Sequence, residues 1–132
     1  MTDRIVWVRA DVVEAIHRRQ LAEHGGASGV RDAGALASAL ERPKNRLAYA
    51  KPAPDLASLA AAYGFGIARN HPFVDGNKRT ALVVMRLFLC LNGCELSASP
   101  REKLEAIIAL ASGTLDEPAL AAWVREHLDV EG

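Results

Sequence analysis

Apolar positions recur at helical spacing along most of the chain, and the runs are cut where glycine, proline or a capping side chain stands. After a β-prone run, Ile5 to Val8, the positions Val12, Val13, Ile16, Gln20 and Leu21 predict a first helix that Gly25 and Gly26 end. The glycine-rich stretch Gly25 to Val30 reads as a loop. Asp32 then N-caps a short helix that carries Leu36 and Leu40 inward and that Pro43 stops. From Lys44 to Pro54 the chain turns polar and holds two prolines, which predicts an exposed connection with the character of a mobile flap.

Asp55 caps the next helix, in which Leu56, Leu59, Ala60, Tyr63 and Ile67 share a face while Gly64 and Gly66 let a neighbour come close. That helix ends near Asn70, because Pro72 disfavours a helical conformation at His71 and Gly76 supplies a second break. The following helix, about Asn77 to Asn92, is apolar on nearly every side, the mark of a central helix; Gly93 stops it. Cys94 to Leu96 reads as a second short strand, with Ile5 to Val8 as its expected partner. Ser99, Pro100 and Glu102 form a capping box that opens a helix through Ile107, Ile108 and Ala111, closed by Gly113. A last helix, capped by Asp116 or Thr114, carries Leu120, Trp123, Val124 and Leu128 on one side. The expected architecture is all-α, with a central buried helix and at most a minor two-stranded β element, in a single domain over residues 1–132.

Composition narrows the function more than the fold. Sixteen basic and sixteen acidic side chains cancel, so no global field draws the protein to nucleic acid or an anionic membrane. The longest apolar stretch, Ala81 to Leu91, is interrupted by Arg86 and falls short of the roughly 20 residues that span a bilayer. Asp3 and Arg4 precede an apolar run of only four residues, which is no signal peptide, so a cytoplasmic location is expected. Cys90 and Cys94 read as reduced core thiols, since neither a disulfide framework nor further metal ligands lie near them.

The chemistry concentrates in His71-Pro72-Phe73-Val74-Asp75-Gly76-Asn77-Lys78-Arg79, directly ahead of the most apolar helix. Ionised groups drawn partly out of water cost several kcal/mol each unless they are paired or meet a ligand. A helix start offers unpaired N–H groups and a positive dipole end, so Gly76, Asn77, Lys78 and Arg79 describe an anion site. Lys78 adds a point charge and Arg79 a planar fork for phosphate oxygens, and Asp75 suits a magnesium ion, which needs only one or two carboxylates besides phosphate and water. His71, across the turn, has the chemistry of a general base for an attacking hydroxyl. On spacing alone a blander reading also stands, in which His71 and Asp75 bond to each other in a helix corner and Lys78 and Arg79 are merely solvated.

The string HPFVDGNKR resembles the signature of the Fic/Doc superfamily, which runs His, any, Phe, any, Asp or Glu, Gly, Asn, Gly or Lys, Arg, and every fixed position is filled. Gly29-Val30-Arg31-Asp32, and Ala62 to Asn70 leading into the histidine, resemble the death-on-curing (Doc) branch; the likeness spans most of residues 5 to 95. The resemblance implies a helical Fic fold with Phe73 buried as an anchor and a flap opposite the motif. Two positions depart from the AMP-transferring Fic pattern: Lys78 stands where those enzymes have a second glycine, and Leu82 replaces their second arginine. Doc-type proteins share the lysine form. Their resemblance implies a kinase that uses ATP and Mg2+ to move the γ-phosphate onto a Ser/Thr hydroxyl, with a threonine of elongation factor Tu as the implied target and a block of translation as the result. In that reading His71 is the base, Asp75 the magnesium ligand, and Gly76, Asn77, Lys78 and Arg79 stabilise phosphate charge. The inhibitory-helix string of many Fic proteins is absent, so the resemblance implies a toxin of a type II toxin–antitoxin pair, held by an antitoxin whose C-terminal segment folds into a groove near the site. Transfer of AMP or another nucleotidyl group on the same site, and a catalytically idle partner-binding module, are the alternatives.

Three further groups carry weaker signals. Arg42, Lys44, Asn45, Arg46 and Tyr49 read first as a solvated basic loop and second as part of the target flap. His17, His24 and His127 read as surface or capping groups, and Trp7 and Trp123 as core.

Overall fold

A computed structural model of the chain describes residues 4–130. Its elements run α1 (Ala10–His24), α2 (Ala33–Tyr49), α3 (Leu56–Asn70), α4 (Asn77–Leu91), β1 (Cys94–Leu96), α5 (Pro100–Ser112), α6 (Glu117–Glu126) and β2 (Leu128–Val130). The all-helical expectation with one small sheet is borne out. Four helices start where a local oxygen was expected to start them: Asp32, Asp55, Ser99 and Asp116 each accept the backbone N–H three residues on. Ser99 and Glu102 complete their reciprocal box, and Asp116, not Thr114, caps α6.

The most enclosed helix is α3 rather than α4. Every residue from Leu59 to Gly64 is buried, and α3 packs on α2, α4, α5 and α6. Small side chains make this possible. A Cβ on Gly64 would stand 2.1 Å from Met85 Sδ of α4, and one on Gly66 would stand 3.0 Å from Ala39 Cα of α2. The close approach expected at both glycines is therefore what lets three helices meet. Helix α4 is nonetheless buried through Thr80, Ala81, Val84, Met85, Phe88 and Leu89, and it packs on α1, α3 and α5.

Several expectations need correction. Helix α2 does not stop at Pro43 but runs on to Tyr49, with Pro43 itself buried against the core. The missing N–H weakens one turn, but tertiary packing on both sides of the proline outweighs that local penalty. The connection therefore shrinks to residues 50–55, and the basic residues assigned to a loop or flap lie on a helix. Arg42 forks onto the buried Glu117 of α6 and lies over the Phe65 ring at 4.5 Å, Arg46 reaches Glu117 at 3.8 Å, and Lys44 faces Glu41 at 3.9 Å. Tyr49 is exposed.

β1 does not pair with Ile5 to Val8. It pairs antiparallel with β2, Leu96 opposite Leu128 and Glu95 opposite Asp129, so Leu128 belongs to a strand and not to the last helix. The Ile5 to Val8 segment is held instead by side chains, with Asn92 accepting from Val6 N and donating to Val6 O, both at 2.9 Å, and Tyr63 Oη accepting from Val8 N at 3.0 Å. Cys94 is buried as expected, but Cys90, near the end of α4, is exposed. Trp7 and Trp123 are half-buried and pack against the core. No helix among the described residues is long and apolar enough to cross a membrane.

One tie between helices has a consequence for acid stability. Arg125 of α6 donates to both carboxylate oxygens of Asp55 at 2.7 and 3.0 Å, and the hydrogen bonds from this guanidinium hold the Asp55 carboxyl well below the usual carboxylate range. A depressed folded-state pKa contributes stability above the unfolded value, near 3.9, and that stability is lost as pH falls further. Both partners are half-exposed, so solvent screening keeps the effect small. The thermal midpoint of Asp55→Asn, which keeps a capping oxygen, is expected to fall less steeply than that of the parent between about pH 5 and pH 2; equal slopes in thermal scans would count against the tie.

Candidate active site

The motif turn is shaped from both ends. His71 closes α3 in the left-handed region, φ 50° and ψ 56°, a conformation that a non-glycine residue adopts only when its surroundings impose it. Arg31 supplies part of that constraint, its guanidinium donating to the carbonyls of His71 at 2.7 Å and Asn70 at 2.9 Å, where the helix leaves oxygens unpaired and its dipole is negative. Next, Pro72 O accepts from Arg31 N and Asp32 N, and Val74 N donates to Gly29 O. Val30 and Phe73 form an antiparallel bridge. Residues 29–32 thus form a backbone seam along residues 72–74.

Phe73, almost wholly buried, anchors the turn. The Asn77 carboxamide clamps its backbone, accepting from Phe73 N at 3.0 Å and donating to Phe73 O at 2.9 Å, and also reaches His71 Nδ1 at 3.5 Å. The last contact orients the ring without being short enough to fix its tautomer. Gly76 takes φ 77°, a left-handed position that glycine fills without steric cost, and α4 begins with no side-chain cap. Its first backbone bond back to the turn is Thr80 N to Gly76 O, which leaves the first-turn amides of Asn77, Lys78 and Arg79 for an external acceptor. Asp75 Oδ1 accepts from Gly76 N at 2.9 Å, and Oδ2 lies 3.4 Å from Ala27 N.

These groups share one cavity of about 470 Å³. His71, Asp75, Gly76, Asn77, Lys78 and Arg79 line it together with Val74, while Leu104 and Ile108 of α5 form an apolar wall. Every site residue expected from the sequence is therefore brought to one place. No ion pair among the described residues uses Lys78 or Arg79, so two exposed cations and an uncapped helix start converge on a space with room for a nucleotide. Of the blander reading, the His71–Asp75 bond is not what the structure shows, since His71 meets Asn77 and Asp75 meets backbone amides, whereas Lys78 and Arg79 are exposed as that reading had them. A second cavity, about 430 Å³, lies along α2 between Ser38 and Ala50 and shares no lining residue with the first.

The family model of the Fic/DOC family matches residues 7–89, more than half of the chain. The chain belongs to the Fic/Doc family. A relative described as "Protein kinase doc", from Escherichia phage P1, is 34% identical over 111 residues, 84% of this chain and 86% of its own length. "Toxin Doc" of Mycolicibacterium smegmatis (strain ATCC 700084 / mc(2)155) is 45% identical over 74 residues, 56% of this chain and 57% of its own. Within this Fic/Doc chain the matched region covers α1 to most of α4, and hence both sides of the seam as well as the motif itself.

Four contributors to this Fic/Doc site were not assigned from sequence. Ile108, which the sequence placed on a helix without a role, is 46% exposed and lines the cavity with Leu104 one turn earlier. The signal was available, because 104, 107, 108 and 111 make a stripe wider than one core contact requires. Arg31 lies in the flank that resembles the Doc branch, which implied no role for it. His17 is the larger correction. Expected on the surface, it is 4% exposed, stacks on Phe73 with ring centroids 3.8 Å apart, and bonds to Asp75 O at 2.8 Å. It stands four residues after the buried Val13, in phase with the inward face of α1, and that phase identifies it. His24 is exposed at the end of α1, and His127 is the C-cap residue of α6, as expected of surface and capping groups.

Proposed function

We propose that this protein is a Doc-type toxin: a protein kinase that moves the γ-phosphate of ATP onto a Ser/Thr hydroxyl of a target protein, with elongation factor Tu the target and arrested translation the outcome. One observation carries the reading: an imidazole, a carboxylate, an uncapped helix start and two unpaired cations line a single cavity. The similarity to a relative described as a protein kinase supports phosphoryl rather than nucleotidyl transfer, as does Lys78, which adds a charged side chain at the turn.

In this reading the amides and cations at the start of α4 hold the phosphates in line with the acceptor. His71 takes the hydroxyl proton as the oxygen bonds to the γ-phosphorus, the bond to the β-phosphate oxygen breaks, and ADP leaves. Magnesium fits the donor set: the Asp75 carboxylate lies exposed beside the anion site and keeps lone pairs beyond its two amide contacts. Asp75 would hold the ion, which supplies neutralisation of phosphate charge. A cognate antitoxin, whose C-terminal segment folds on a groove beside the cavity, is the proposed inhibitor.

The two transfer chemistries leave different labels. With Mg2+ and ATP labelled at the γ position, elongation factor Tu is expected to retain label; with α-labelled ATP it is expected to retain none. Retention of the α label assigns AMP transfer instead, and an unlabelled target with both nucleotides removes elongation factor Tu as the substrate.

A further inference from the structure

We propose that His17 is a positioning residue for the transfer site, setting the Asp75–Gly76 peptide from below through a single hydrogen bond. It lies on α1, 54 positions before the motif histidine in sequence and outside the motif string. Its ring is buried and nearly parallel to Phe73, the interplanar angle being 9°. The stack fixes the plane of the imidazole, and the 2.8 Å contact fixes its rotation. Because a carbonyl oxygen only accepts, Nε2 carries the proton and donates to Asp75 O.

What this bond holds is the hinge of the anion site. Asp75 O and Gly76 N belong to one peptide unit, so pinning the oxygen also orients the N–H that Asp75 Oδ1 accepts. Gly76 has no side chain to resist rotation, and a Cβ there would meet Leu21 Cδ2 at 3.4 Å and the His17 ring at 3.7 to 3.8 Å. Helix α1 is thus the floor of the turn. Loop residue Gly26 also presses on the turn, since a Cβ on it would lie 2.9 Å from Asp75 Oδ2. Without the His17 donor, the part-buried Asp75 carbonyl loses its partner and the peptide is free to turn, shifting the carboxylate and the first amides of α4 relative to the phosphates. A displacement on the order of 1 Å at such a site costs about 100-fold in rate.

Three variants separate the bond from the packing. His17→Phe keeps a ring over Phe73 and removes the donor; His17→Gln places an amide N–H at about the reach of Nε2; His17→Asn has a donor too short to reach. In the γ-label assay, which rests on the kinase reading, His17→Phe and His17→Asn are expected to lose about 10- to 100-fold in kcat with the KM for ATP changed less than about 3-fold. His17→Gln is expected to recover to within about 5-fold of the parent. Hydrogen exchange of the Gly76 amide, which needs no activity, is expected to speed up at least about 10-fold in His17→Phe and not in His17→Gln, with the α1 amides unchanged. The proposal is overturned if His17→Phe matches the parent in kcat and exchange, if His17→Gln is no better than His17→Phe, or if losses follow the thermal midpoint. Should the parent itself leave elongation factor Tu unlabelled, that target assignment fails while the exchange measurement still decides the role of His17.

Discussion

Replacing His71 with alanine is expected to lower the transfer rate by about 10²–10⁴-fold, the range of general-base catalysis, and to abolish growth arrest on expression. The loss belongs to the chemistry, because the His71 side chain is exposed and its ring has one long contact, with Asn77. His71 sits at φ 50°, where alanine adds strain, so His71→Asn is the better-behaved companion; asparagine tolerates the left-handed region. Both variants are expected to keep the parent's helical circular dichroism and to bind ATP with little change. A His71→Ala protein that arrests growth as fully as the parent would instead identify an idle partner-binding module.

Phe73→Ala is expected to have the largest effect on stability. The ring is 1% exposed, stacks on His17, and sits where the seam meets the core. Truncating a buried phenylalanine costs about 3–5 kcal/mol, which for a chain of this size lowers the thermal midpoint by roughly 10–20 °C. Val74, the next residue, is 51% exposed, and Val74→Ala is expected to change stability by less than about 0.5 kcal/mol. Thermal scans of the two neighbours side by side measure the contrast, and equal midpoints would show that Phe73 does not anchor the turn.

What the sequence made legible was local. Asp32, Asp55, Ser99 and Asp116 start helices because a cap acts over three residues, and the motif turn was visible because Pro72 and Gly76 break the chain wherever they stand. Pro43 failed as a stop because burial against the core, which no short window contains, overrode its local cost. The partner of β1 was misassigned for a related reason: a three-residue strand carries no register of its own, and Asn92 satisfied the backbone of Val6 before a strand was needed there. In the site, the residues that face the cavity from the motif were readable as a string. Those that hold or complete it from outside the motif, Arg31, His17, Leu104 and Ile108, are not part of that string, and only the helical phase of His17 and Ile108 hinted at them.

The seam between residues 29–32 and 72–74 bears on how such proteins are recognised and dissected. The nine-letter string is half of a structure whose other half lies some forty residues upstream. A fragment beginning after residue 32 would keep every letter of the signature yet lack the bridging segment, the guanidinium and the imidazole that give those letters their shape. Truncated descendants of this kind, met in a genome, would read as enzymes and behave as relics.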